Sequence, residues 1–102
     1  MSDYSRRDLR LQCNIKVFYD EKNGETKNIS ANGTFIKKDT QSQLHPIGSD
    51  IALSLDFPNE RDFIEVKGMV VHHGNDDGMG IWFKKIDERK KEFIRKFITH
   101  PR

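Results

Sequence analysis

At 102 residues, 34% hydrophobic and 33% charged, the chain has material for one modest core beneath a well-solvated surface, which argues against a second domain and against a deep, multi-walled active site. A net charge of +2 is too small to point to a nucleic-acid polymer, no run approaches the roughly 18 apolar residues of a membrane span, and no apolar stretch at the N-terminus reads as a signal peptide. The single cysteine, Cys13, cannot form an internal disulfide, so a reducing, cytoplasmic setting is expected.

Residues 1–8 have little to bury and are predicted to form a flexible arm, followed by a single domain over 9–102. From Leu9, the apolar side chains Leu11, Cys13, Ile15, Val17 and Tyr19 alternate with mostly polar ones, which predicts one half-buried strand through Asp20. Glu21 to Gly24 reads as a turn, with Asn23-Gly24 suited to a type I′ hairpin. Two short strands follow, Glu25 to Ile29 and Thr34 to Lys38, joined by a tight turn at Asn32-Gly33. Residues 39–48 lack periodicity and read as a loop. Ile51, Leu53, Leu55 and Phe57 define a further strand; Phe63 to His73 and Met79 to Lys84 are the last two.

The period then changes. Asp87 is a plausible N-cap, Glu88 lies in the first turn, and Arg95 and Lys96 lie near the end, an order that complements the helix dipole. Phe93, Ile94, Phe97 and Ile98 form an apolar stripe at helical spacing, so a helix over 87–99 is predicted to dock on the strands. Six short strands and one terminal helix imply a mainly β fold, a six-stranded antiparallel β-barrel with a C-terminal α-helix. Charge is unevenly placed along it: residues 1–16 hold four basic groups against two acidic, residues 17–83 six against eleven, and residues 84–102 eight against three.

Two clusters carry the chemistry. Arg6 and Arg10, with Arg7 between them, lead into the first strand, and Arg6 and Arg10 share parity with its polar positions. A guanidinium can grip a phosphate with paired hydrogen bonds or meet the O6/N7 edge of a guanine. Asn28 and Ser30 offer an amide and a hydroxyl, while Gly33 lets the backbone turn without a Cβ in the way. For Ser30 the plainer reading is a turn-capping hydroxyl.

Arg6-x-x-x-Arg10 followed by Asn28-x-Ser30-x-x-Gly33 resembles the paired signature of bacterial PilZ domains, RxxxR and then (D/N)xSxxG. The resemblance extends over nearly the whole chain, and the ordered pair of motifs is far more specific than either alone. It implies a receptor for the second messenger cyclic di-GMP. By that resemblance Arg6 and Arg10 would bind phosphate and guanine, Asn28 and Ser30 a guanine base, and Gly33 would shape the turn beneath it. Many family members carry an arginine just before RxxxR; here that position is Ser5. Whether Arg7 substitutes, and whether one ligand or a stacked pair binds, is left open by the sequence.

The remaining candidates read structurally. His72 and His73 are strand neighbours expected on opposite faces, with His45 and His100 elsewhere, so no metal site is expected. Cys13 falls on the apolar parity and reads as a small core side chain rather than a nucleophile. Trp82 lies between the apolar positions Ile81 and Phe83, which turns it outward; cover for the barrel beneath the helix is the expectation, and stacking on a purine is the alternative. The expected function is therefore a binding domain and not an enzyme. Ligand would order the N-terminal arm, and with no output domain in the chain the signal would pass in trans to an effector protein. The alternative is an interaction module of the same fold that does not bind nucleotide, and an oligonucleotide-binding barrel is disfavoured by the acidic centre of the chain.

Overall fold

A computed structural model describes residues 10–37, 44–58, 60–74 and 78–99. Seven strands precede one helix: β1 (Leu11–Gln12), β2 (Lys16–Tyr19), β3 (Lys22–Ile29), β4 (Gly33–Lys37), β5 (Asp50–Asp56), β6 (Ile64–His73), β7 (Gly78–Lys84) and α1 (Glu88–Thr99). All pairings are antiparallel, and six strands run round a ring in the order β3-β2-β5-β6-β7-β4, closed by the β4–β3 pairing. This is the six-stranded barrel expected from the sequence, with β1 added alongside the far end of β3.

Alternation fills the barrel. Val17, Ile29, Ile36, Leu53, Leu55, Val70 and Ile81 are buried and contribute to one core, each such side chain stabilising the fold by about 1.5–3 kcal/mol relative to exposure. Closure leaves only the short β1 and the outer strand ends to solvent, which removes the long unpaired edge of an open sheet.

The strand expected over Leu9–Asp20 is broken at residues 13–15, and the cause is Thr26. This threonine is wholly buried; its hydroxyl accepts from the Ile15 N–H at 3.0 Å and donates to the Cys13 carbonyl at 3.1 Å. A side chain thus occupies the place of ladder bonds, while the apolar parity of Cys13, Ile15 and Val17 runs on through the break. Cys13 is half-buried against the core, and that burial pushes its thiol pKa upward.

The first hairpin turn also differs from expectation. Tyr19 pairs with Lys22, and the turn residues are Asp20 and Glu21, with φ of 51° and 61°, the two positive values a type I′ turn needs. Asn23 and Gly24 lie inside β3 instead. A Cβ on Gly24 would stand 3.1 Å from Tyr19 Cε1, so the buried tyrosine ring lies against the glycine and packing sets the register.

At one end, α1 caps the barrel. Asp87 is the N-cap as expected, its Oδ1 accepting the Lys90 N–H at 2.9 Å. Phe57 receives Phe93 and Phe97 edge-on, with centroids 5.0 and 4.9 Å away, and Ile94 is fully buried. The helix therefore covers Phe57 and not Trp82, which lies outside the core cluster and is 49% exposed, contrary to its expected role as cover beneath the helix. Towards the opposite end, His45 Nε2 meets Asp20 Oδ2, and His73 Nε2 lies 2.7 Å from the His45 carbonyl. Among the described residues no helix is long and apolar enough to cross a membrane, and no three His, Cys, Asp or Glu side chains are grouped to hold a metal.

Candidate functional site

Short as it is, β1 sets the site. Its pairing puts Gln12 opposite Asn28, which brings Arg10 within diagonal reach of that residue across the ladder. Arg10 Nη1 donates to Asn28 Oδ1 at 2.7 Å. One member of each sequence motif is thereby joined to the other across 18 residues of chain.

The turn after β3 holds Asn28 in place. The Ser30 hydroxyl accepts from the Asn32 and Gly33 N–H groups, both at 3.1 Å, and donates to the Gly33 carbonyl at 3.2 Å. Its side chain is wholly buried, so the capping geometry considered from the sequence is what the hydroxyl adopts. Gly33 is needed for a different reason from a left-handed turn: a Cβ there would come 2.3 Å from the Ile81 carbonyl oxygen of the neighbouring strand. Thr34 Oγ1 donates to the Asn28 carbonyl at 2.6 Å, tying β4 back to the same residue.

Beside Arg10 and Asn28 opens a shallow groove of about 260 Å³ whose floor and far wall are Thr34, Phe35, Val71, His72 and Gly80. Phe35 and His72 stand with ring centroids 5.8 Å apart, and Lys27 Nζ is 5.7 Å from the Phe35 centroid. A Cβ at position 80 would be 2.4 Å from His72 Cε1, so the imidazole lies directly on the Gly80 backbone. The β6–β7 register shifts between Val70 and His72; beyond the shift His72 pairs with Gly80 and lines the groove, while His73 pairs with the buried Met79 and meets the His45 carbonyl, so the two histidines take opposite faces as expected. Chemically the groove offers a cation, an amide and flat π-surfaces. These suit an anionic, planar ligand.

Of the residues singled out in the sequence, Arg10 and Asn28 meet at the groove, Ser30 and Gly33 form the turn beneath, and Arg6 and Arg7 lie outside the described residues, as does the arm 1–8. Sequence reasoning missed Thr34, Phe35, His72 and Gly80. The available signal was an aromatic at Phe35 between the inward Thr34 and Ile36, but only barrel closure brings β4 and β6 to either side of β7.

The family model for the PilZ domain matches residues 3–100. The chain belongs to the PilZ domain family. PilZ domains are a family of cyclic di-GMP receptors, binding and adaptor modules in type. Among solved structures, this PilZ domain is similar to the Bacillus subtilis inhibitor of motility MotI/DgrA, with 19% identity and a TM-score of 0.81, over 92% of this chain and 49% of that one. It is similar also to the PilZ domain of CeSA from a cellulose-synthesizing bacterium, at 14% identity and TM-score 0.59 over 89% and 95% of the two chains. A third likeness is to PlzA of Borreliella burgdorferi, solved in complex with c-di-GMP, at 16% identity and TM-score 0.57 over 96% and 38%. The chain thus spans about half the length of MotI/DgrA. These likenesses concern the fold. No curated protein sequence matches the chain.

Proposed function

We propose that this PilZ domain is a cyclic di-GMP receptor that captures its ligand at the Arg10–Asn28 junction, with Phe35 and His72 as the flat wall against which a guanine lies. The observation that carries the reading is the 2.7 Å bond between Arg10 and Asn28 at the mouth of a groove. It unites the two halves of the signature where phosphate and base-edge contacts are both within reach. A neighbour of the same fold, PlzA, is in complex with c-di-GMP.

Hydrogen bonds to a charged group contribute about 1.5–3 kcal/mol each, and micromolar affinity needs about 8 kcal/mol. Arg10, Asn28 and one stacked base approach that sum but fall short of it. The groove is also smaller than the roughly 300–1,000 Å³ of pockets that enclose a ligand. A second wall is required, and in this reading the arm supplies it: Arg6 and Arg7 close over the exposed side of the ligand, so binding orders residues 1–8. Ser30 and Gly33 act as positioning residues by holding Asn28 and β4. The altered surface then acts in trans on an effector protein in the cytoplasm, and no catalysis is involved.

Isothermal calorimetry on the full chain tests the site. Arg10→Ala and Asn28→Ala are each expected to weaken cyclic di-GMP binding about tenfold or more, since each removes a charge-assisted contact. Unchanged affinity in both folded variants contradicts the assignment. It would favour a PilZ-fold interaction module that uses other surfaces.

A further inference from the structure

The outer face of β5, β6 and β7 carries a second, larger depression on the far side of Trp82 from the nucleotide groove. Met69 and Trp82 are direct cross-strand neighbours, and Trp82 is 49% exposed, so an apolar step stands in the middle of an otherwise polar face. In the next row Ala52 pairs with Lys67, and Lys67 pairs with Lys84. Ala52 is exposed and short, and it forms the floor of a hollow of about 490 Å³ bordered by Lys67, Lys84 and Lys85. The hollow continues towards Lys90 at the start of α1.

Two like charges directly opposite one another work against folding. Only one of this pair is answered: Lys84 Nζ meets Asp50 Oδ1 at 2.9 Å, while Lys67 and Lys85 have no acidic partner among the described residues. Asp87, which also borders the hollow, is engaged as the helix cap, leaving Glu65 at the far edge. Lys85 has φ of 46°, an uncommon conformation for a non-glycine residue, at the joint where β7 hands over to the helix. A cross-strand lysine pair, a strained lysine and an exposed tryptophan on one face each run against the needs of folding alone. Together they have the composition of an interface: an aromatic anchor with a basic rim.

We infer that this face docks a partner protein through an acidic amphipathic segment, whose carboxylates meet Lys67, Lys85 and Lys90 and whose apolar side chain covers Trp82. Charge complementarity selects the sign of the partner, and a hollow rather than a flat surface selects an inserted segment of chain over a bilayer. The inference does not depend on nucleotide binding, because no residue of the Arg10–Asn28 groove lines the hollow.

Trp82 is the sole tryptophan of the sequence, so its fluorescence reports on this face alone. The probe is a helical peptide of roughly 14 residues with leucines at i, i+3, i+4 and i+7 and glutamates flanking them. Its controls are the same peptide with lysines for glutamates, a single-stranded DNA oligomer and phosphatidylglycerol vesicles. The acidic peptide is expected to shift Trp82 emission to shorter wavelength with saturation, and the Lys67→Glu, Lys85→Glu double variant, altered only at exposed side chains, to bind about tenfold more weakly. No shift, a shift equal for the lysine peptide, or one unaffected by the double variant overturns the inference. So does a shift produced by DNA or vesicles in place of the peptide, or a concentration-dependent shift without any addition, which would assign the face to a second copy of the chain.

Discussion

Thr26 shows how one side chain controls both the barrel and the site. Its hydroxyl occupies the gap between β1 and β2, bonding the Ile15 N–H and the Cys13 carbonyl while sealed from water. Thr26→Val keeps the shape and removes both bonds, which leaves a buried N–H unanswered at a cost of about 1–3 kcal/mol. Urea unfolding is expected to show a lower midpoint with an unchanged slope, and an unaltered midpoint would refute the role. Because β1 also carries the chain to Arg10, the same variant loosens the Arg10–Asn28 junction. Nothing in the local sequence announces this: Thr26 lies in a run of Glu, Thr, Lys and Asn, and its burial appears only when β3 is paired on both sides.

At the scale of the element, register was the least legible feature. Period two identified the inward residues of β5, β6 and β7, and the switch to helical spacing identified α1 with its Asp87 cap. Asn23-Gly24 has better turn chemistry than Asp20-Glu21, yet the buried Tyr19 ring packs on Gly24 and the hairpin turns earlier. Local propensity yields there to tertiary contact. The β3–β4 turn combines both levels, since Ser30 caps it locally while Gly33 serves the distant β7. A methyl at Gly33 would meet the Ile81 carbonyl at 2.3 Å and force β4 away from β7. Gly33→Ala is therefore expected to destabilise the domain by about 1–3 kcal/mol or more, with faster hydrogen exchange at the β4–β7 amides. Exchange at wild-type rates would show that the strands tolerate the extra atom.

For the whole molecule, the ends of the barrel and its outer face have separate tasks. The helix seals one end through Phe57, Phe93, Phe97 and Ile94, and the compact result has a radius of gyration of 13.2 Å, close to the about 13 Å of a 100-residue domain. With the core filled by side chains, the proposed binding site falls on the surface. Arg10, Asn28, Ser30 and Gly33 stood out in the sequence because their types and spacing carry specific chemistry, and the fold brings them together. Phe35 and His72 did not, because β4 joins β7, and so meets the β6 side chains across it, only when the sheet closes. The most direct test is a calorimetric titration of the full chain with cyclic di-GMP, with GTP and single-stranded RNA titrated in parallel. Saturable binding at about micromolar affinity or tighter, unmatched by either control, is the expected result; no heat with cyclic di-GMP, or equal heat with GTP or RNA, would contradict the receptor assignment.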